Sequence, residues 1–309
     1  MIHPLSYCIP DENIVNSEVV QKKHIIISDL IPGQQITYRF GPNDEKEYNE
    51  HYQESMFAYS SKKGGWDCLR HYEILSNGCI PIMNFDGCPS NTLTTLPKDL
   101  LIECNKILPY KKNMKKTYDE YVYKLLEHMK THCSTSANTR YFLQKIPHSI
   151  KNILLIRCDE GVNYTREFFW IGMKRYIQNI QGVAVEYPKI SYLYDSYKGD
   201  KKTLHGYGYN YTGKLKEDYN LLDEEIIEKI KNKFWDIVVF GKVGPDELIE
   251  GSIPYLPLWS HVVQHYDKDR IVFLYGGDEC INLTYKNRYS EHITYHKQFG
   301  TCFVRELNM

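Results

Sequence analysis

From Lys23 onward, the first half of the chain alternates short apolar runs with stretches of helical periodicity. His24–Ser28, Ile36–Phe40, Met56–Ser60 and Cys79–Met83 are continuous enough in apolar character to predict buried strands. Between them, Asn43 or Asp44 is placed to cap a helix running to Glu54. In Asp67–Asn77, Leu69, Tyr72 and Leu75 share one helical face before Gly78 stops the run. A mostly helical part follows, over Leu96–Ile107 and Lys116–Ile146, interrupted by a basic loop at Tyr110–Lys116.

Pro147–Lys151 marks a boundary, because a fresh series of strands and helices opens directly after it. Strands are predicted at Ile153–Arg157, Val183–Tyr187, Asp236–Gly241, Arg270–Tyr275 and Cys302–Arg305. Helices fit Arg166–Ile180, Asp223–Phe234 and the region from Pro257 to Gln264. Strands alternating with helices and lacking hairpin turns predict a parallel, doubly wound sheet. The exception is Tyr192–Leu215, rich in Gly and Tyr, which reads as a loop or hairpin excursion. The expected organisation is α/β, with two Rossmann-like units at 1–146 and 147–309. A length of 309 residues suits two compact cores.

Charge and cysteine usage narrow the function classes. Balanced basic and acidic counts, 38 against 39, create no field that would draw the chain onto nucleic acid or an anionic membrane. The nine cysteines show no C-x-x-C pair and no ligand-like Cys/His spacing, so reduced thiols in the cytoplasm are expected, the host's cytoplasm were the chain viral. Met1–Asn16 is polar and broken by Pro4 and Pro10, unlike a signal peptide. No stretch approaches the roughly 20 apolar residues of a membrane span.

The chemically richest stretch runs from Lys62 to Pro81. It reads as a basic glycine turn (Lys62, Lys63, Gly64, Gly65), a short helix carrying Arg70 and Glu73 one turn apart, and a glycine stop into a strand. Paired glycines let a backbone approach a ligand closely, and helix N–H groups beside two lysines favour a diphosphate. Glu73 is positioned to accept hydrogen bonds from ribose or sugar hydroxyls, with Arg70 either on phosphate or holding that carboxylate. The bland alternative is a surface ion pair at i and i+3 beside an ordinary turn.

The run Gly65 to Pro81, with Arg70-x-x-Glu73-x-x-x-x-Gly78-Cys79-Ile80-Pro81, resembles the donor-site segment of GT-B glycosyltransferases. It is most similar to exostosin-type enzymes and related viral or algal sequences. The close resemblance covers about 50 residues, Met56 to Asn105. It implies that Arg70 and Glu73 sit by a nucleotide sugar, and that the Gly78–Pro81 turn leads into the strand behind it. GT-B chains carry the acceptor domain first, whereas here the donor segment precedes the better-formed α/β unit. Either the halves are permuted, or the chain is a piece of a longer product. If permuted, Cys158–Val162 and Tyr275–Glu279 should face the donor segment, because both follow the carboxyl ends of predicted strands. Asp159, Asp278 and Glu279 are the candidate bases, and Arg70, Lys62 and Lys63 the candidates to stabilise the departing diphosphate. Each acid can equally be an ordinary helix-end or turn carboxylate.

Other signals carry less. Asp267-Lys268-Asp269 has the D-x-D form of a metal-dependent transferase but precedes a strand, so a solvated turn is expected and no metal ligand is assigned. Asp159-Glu160-Gly161 lacks the G-x-G-x-x-G of a dinucleotide site, which argues against a Rossmann oxidoreductase. The loop His205–Gly213 either clasps an acceptor sugar with its tyrosines or is a hairpin with packed rings. His128 and His71 read as structural. The expectation is a metal-independent glycosyltransferase with no tightly bound cofactor, taking a nucleotide sugar and a glycan or glycoprotein acceptor. A non-catalytic scaffold on the same fold, or an incomplete half of a larger enzyme, is the alternative. The oligomeric state is not legible.

Overall fold

The computed structural model describes residues 1–108, 112–217, 221–243, 256–284 and 288–308. In chain order the first half holds β1 (Ile2–Pro4), β2 (Ile25–Ile27), α1 (Glu45–Glu54), β3 (Ser55–Tyr59), α2 (Leu69–Ser76), β4 (Ile80–Ile82), α3 (Lys98–Asn105), α4 (Lys115–His132) and α5 (Thr135–Lys145). The second holds β5 (Asn152–Arg157), α6 (Tyr164–Asn179), β6 (Val183–Tyr187), α7 (Asp223–Lys231), β7 (Ile237–Gly241), α8 (Trp259–His265), β8 (Ile271–Tyr275), β9 (Ile281–Asn282), α9 (Arg288–His296), β10 (Thr301–Val304) and β11 (Leu307–Asn308).

The central sheet has six parallel strands in the order β1-β10-β8-β7-β5-β6. Both of its faces are covered, as a parallel sheet requires. Ile153, Leu155, Ile237, Val239, Val272 and Leu274 point into one core with α4, α5 and α6. Their alternates, Leu154, Ile156, Val238, Phe240, Ile271 and Phe273, point into a second with Ile226 and Ile230 of α7, Val262 of α8 and Ile293 of α9. The strict period of two explains why these strands read as unbroken apolar runs. A smaller parallel sheet, β2-β3-β4, shares the first core through Met56, Phe57 and Ile80, and a pair β11-β9 completes the described strands. The first core therefore runs from Leu5 through Phe57 and Tyr72 to Trp170 and Phe303, joining both halves of the chain.

The expected strand at Ile36–Phe40 is instead a short 3-10 turn at Gln35–Tyr38. Within it Ile36 and Tyr38 are exposed and only Thr37 is buried, so the run has no apolar face to give a sheet. The long helix expected over Lys116–Ile146 breaks at Cys133, because Ile9 bonds Cys133 and Thr135 there and the Ser134 hydroxyl accepts from Ala137 N at 3.1 Å to start α5. Gly78, at φ +64°, ends α2 in the left-handed conformation that glycine adopts at least cost. The segments β1, β9, β11 and α9 have no counterpart among the predicted elements. Of the basic loop expected at Tyr110–Lys116, Tyr110 and Lys111 lie outside the described residues, while Lys112–Met114 form a 3-10 turn and Lys115 already begins α4. Among the described residues no helix is long and apolar enough to cross a membrane.

Candidate functional site

A cleft of about 630 Å³ opens where the small sheet's loops meet the carboxyl ends of the large sheet's strands. The first half contributes Tyr38, Lys63, Gly64, Gly65, Arg70 and Glu73; the second contributes Val162, Asn163, Tyr164, Tyr207, Lys242 and Asp278. Strand order explains the location. β5 lies between β6 and β7, so the chain leaves β5 and β7 in opposite directions across the sheet, and the loops after them part to leave a crevice. Val162 and Lys242 follow those two strands and line it, as do Gly276 and Gly277 after β8.

One wall is fixed to the other by a buried charged cluster. Asp67 accepts from Tyr7 N at 2.8 Å and from the Tyr72 hydroxyl at 2.8 Å, and its own N–H donates to Glu306 at 2.7 Å. Arg305, fully buried just past β10, donates to the Asp67 carbonyl, to the Gly277 carbonyl at 2.7 Å and to the Asp278 carboxylate. Burial pushes the Asp67 carboxyl up to about 6, against the opposing pull of Arg305 and the two donors. The paired glycines serve this junction. A Cβ on Gly65 would fall 2.2 Å from Glu306 Oε1, and one on Gly64 2.5 Å from Asp278 Oδ2. The close approach they permit is thus to protein carboxylates at the cleft's edge.

Arg70 and Glu73 both line the cleft but form no ion pair. Glu73 is buried and committed: it accepts from the Tyr48 hydroxyl at 2.8 Å and from the Asn210 amide at 2.8 Å. Burial raises its carboxyl above the usual range, while those two donors and Arg70 hold it down. Arg70 lies among Tyr48, Tyr52, Glu73 and Tyr38, and among the described residues its guanidinium has neither hydrogen bond nor ion pair. Lys63 stands 5.9 Å from the Tyr38 ring and is similarly without an acidic partner. Lys62 lies over the Trp66 ring at 5.4 Å, outside the cleft lining.

The three candidate acids separate. Asp278 lines the cleft with a largely exposed carboxylate, one oxygen of which pairs with Arg305. Asp159 does not line it; Arg166 and Lys242, the latter at 2.7 Å, hold it between two cations. Glu279 is exposed beyond the lining. Asp269 of the D-x-D run pairs with His148 at 2.7 Å, at the amino end of β8 and so at the far end of that strand from the cleft. Among the described residues no group of His, Cys, Asp and Glu side chains converges as metal ligands. His128 bonds the Thr95 carbonyl at 2.7 Å, and His71 bridges Ser60 and the Trp66 carbonyl.

Asp67, Lys242, Arg305 and Glu306 were not among the sequence candidates. The signal that marks three of them is position: Lys242, Arg305 and Glu306 are charged residues immediately past an apolar strand, where a parallel sheet gathers its ligand contacts. Asp67 had no such mark. Comparisons with family models, curated proteins and solved structures found no match to this chain.

Proposed function

We propose that the cleft is the donor site of a nucleotide-sugar-dependent glycosyltransferase of GT-B type. On this reading the two α/β halves flank the site with the donor segment on the amino-terminal half. The observation that carries it is the Arg70 guanidinium, which among the described residues makes no hydrogen bond or ion pair, standing with Lys63 inside a crevice at a sheet's carboxyl ends. A half-buried cation with no protein acceptor is costly to keep, and a diphosphate supplies the acceptor oxygens it lacks. Arg70 and Lys63 would then stabilise charge on the departing nucleoside diphosphate. Asp278, the one candidate acid in the lining, would take the acceptor hydroxyl's proton, oriented by Arg305. Glu73 shapes the pocket through Tyr48 and Asn210 and need not touch the ligand.

A second reading, a binding module without turnover, is favoured by one observation: both Asp159 and Asp278 are already tied into ion pairs with protein cations. Thermal shift and calorimetry against nucleoside diphosphates and nucleotide sugars test the site, and release of nucleoside diphosphate with a glycan acceptor tests turnover. Binding that is lost in Arg70→Ala, with product formed, supports the transferase. Binding without product supports the module. No nucleotide binding, or binding indifferent to Arg70→Ala, sinks the donor site.

A further inference from the structure

Most cleft tyrosines are used by the fold. Tyr48 donates to Glu73, Tyr209 donates to the Gly41 carbonyl, and Tyr164 is packed between Phe168, His205 and Tyr211. Tyr38 and Tyr207 differ. They are 57 % and 37 % exposed, they line the same cleft, and neither hydroxyl has a hydrogen-bond partner among the described residues. The Lys63 ammonium stands 5.9 Å from the Tyr38 ring, with Arg70 nearby, and Tyr207 lies 6.3 Å from Tyr209 between ring centroids.

The backbone at Tyr207 adds a separate observation. Gly206, Tyr207 and Gly208 have φ of +59°, +55° and +78°, a left-handed run in which the one residue bearing a side chain is an aromatic. That conformation is unfavourable for tyrosine, and strain of this kind persists only where the surroundings over-determine it. Here they do. Tyr209 is tied to Gly41, the Tyr211 hydroxyl bonds the His205 carbonyl at 2.7 Å, and Asn210 is held by Glu73, Glu45 and Asn13. The loop is anchored on both sides of a residue that lines the cleft and keeps part of its ring exposed there.

Resting on the donor-site reading above, we infer that Tyr38 and Tyr207 form a platform for a hexopyranose ring of the acceptor glycan. A tyrosine offers an apolar face to the C–H side of a pyranose and a hydroxyl to its OH groups, and both rings are partly exposed here, with hydroxyls that make no hydrogen bond among the described residues. Their exposure at the rim suits an oligomer whose further units run out into solvent, whereas a nucleobase gains most from an enclosed slot.

The test is calorimetric titration of the full chain, saturated with a nucleoside diphosphate, with a panel of glucose, galactose, mannose and N-acetylglucosamine oligosaccharides. Tyr207→Asn is the informative variant, because asparagine tolerates the left-handed conformation and the protein should melt no lower than wild type. Expected are binding of at least one oligosaccharide, weakened about tenfold or more in Tyr207→Asn and in Tyr38→Ala, and nucleotide affinity unchanged within about twofold. Tyr207→Trp, which keeps a stacking face, should retain the sugar. Nucleotide binding with no oligosaccharide binding overturns the platform, as does sugar binding indifferent to both variants. A parallel loss of nucleotide affinity on removing the rings also overturns it and assigns them to the base. Ring-dependent sugar binding in a chain that binds no nucleotide sustains the platform and removes the donor reading instead.

Discussion

The side-chain amide of Asn210 donates to Glu73 at 2.8 Å, joining residues 137 positions apart in the chain. Asn210 also accepts from Asn13 at 2.7 Å and donates its N–H to Glu45 at 2.7 Å. The tyrosine-rich excursion of the second half is thereby fastened to the helix that carries Arg70. The carboxylate read from the sequence as a ligand contact is the centre of that fastening.

Glu73→Ala should therefore be a stability variant. It leaves the Tyr48 hydroxyl and the Asn210 amide buried without an acceptor, at about 1–3 kcal/mol each before relaxation. Urea denaturation should show a loss of this order, and a cycle with Asn210→Ala should show clear non-additivity. Additive effects would mean that the two side chains do not act as a pair.

Arg70→Ala should behave in the opposite way. Its guanidinium makes no hydrogen bond or ion pair among the described residues and acts on the buried Glu73 carboxylate only through space, so the melting temperature should fall less than in Glu73→Ala. Affinity for a nucleoside diphosphate should fall by about 1.5–3 kcal/mol, roughly ten- to a hundredfold. A large drop in melting temperature would contradict the placement of Arg70 as a free cation.

Arg305→Met removes the guanidinium from a buried cluster and leaves Glu306 and Asp67 without it. The expected cost is about 3–5 kcal/mol, the range for breaking a buried charged pair. Arg305→Lys should recover only part of this, since one ammonium cannot reach the Asp67 and Gly277 carbonyls and Asp278 together. Equilibrium unfolding of both variants checks the order.

His71 predicts a pH dependence. Burial lowers its imidazole to about 4 from an ordinary 6.5, so between those values the unfolded chain holds a proton that the folded chain refuses. Its contribution is fully present above pH 6.5 and is lost as pH falls, by about 1.4 kcal/mol per unit down to about pH 4. His71→Asn should flatten the profile by that amount over the same window. His296, whose imidazole burial lowers to about 3, acts equally in both proteins and cancels from the difference. An unchanged slope would mean that His71 is protonated in the folded chain.

The sequence by itself determined the secondary structure of the large sheet and the nature of its surroundings. Strands buried on both faces cannot alternate, so Ile153–Ile156, Ile237–Phe240 and Ile271–Tyr275 stand out as apolar runs, and the helices between them show their own period. The positions of Lys63, Arg70 and Asp278 beside one cleft follow from the same logic, because the residues past parallel strands meet at one edge. What only the tertiary structure decided is which charges are free. Arg70 and Glu73 are one helical turn apart and look like a pair, yet Glu73 is taken by Tyr48 and by Asn210 from the far half, while Arg70 is left open. Asp159 and Asp278 both follow strand ends, yet Arg166 and Lys242 enclose the first and leave the second at the cleft. The three-residue strand β1 joins the large sheet only because β10, nearly 300 residues later, offers it an edge. Such pairings depend on contacts made at long sequence separation, and no local pattern of polar and apolar residues encodes them.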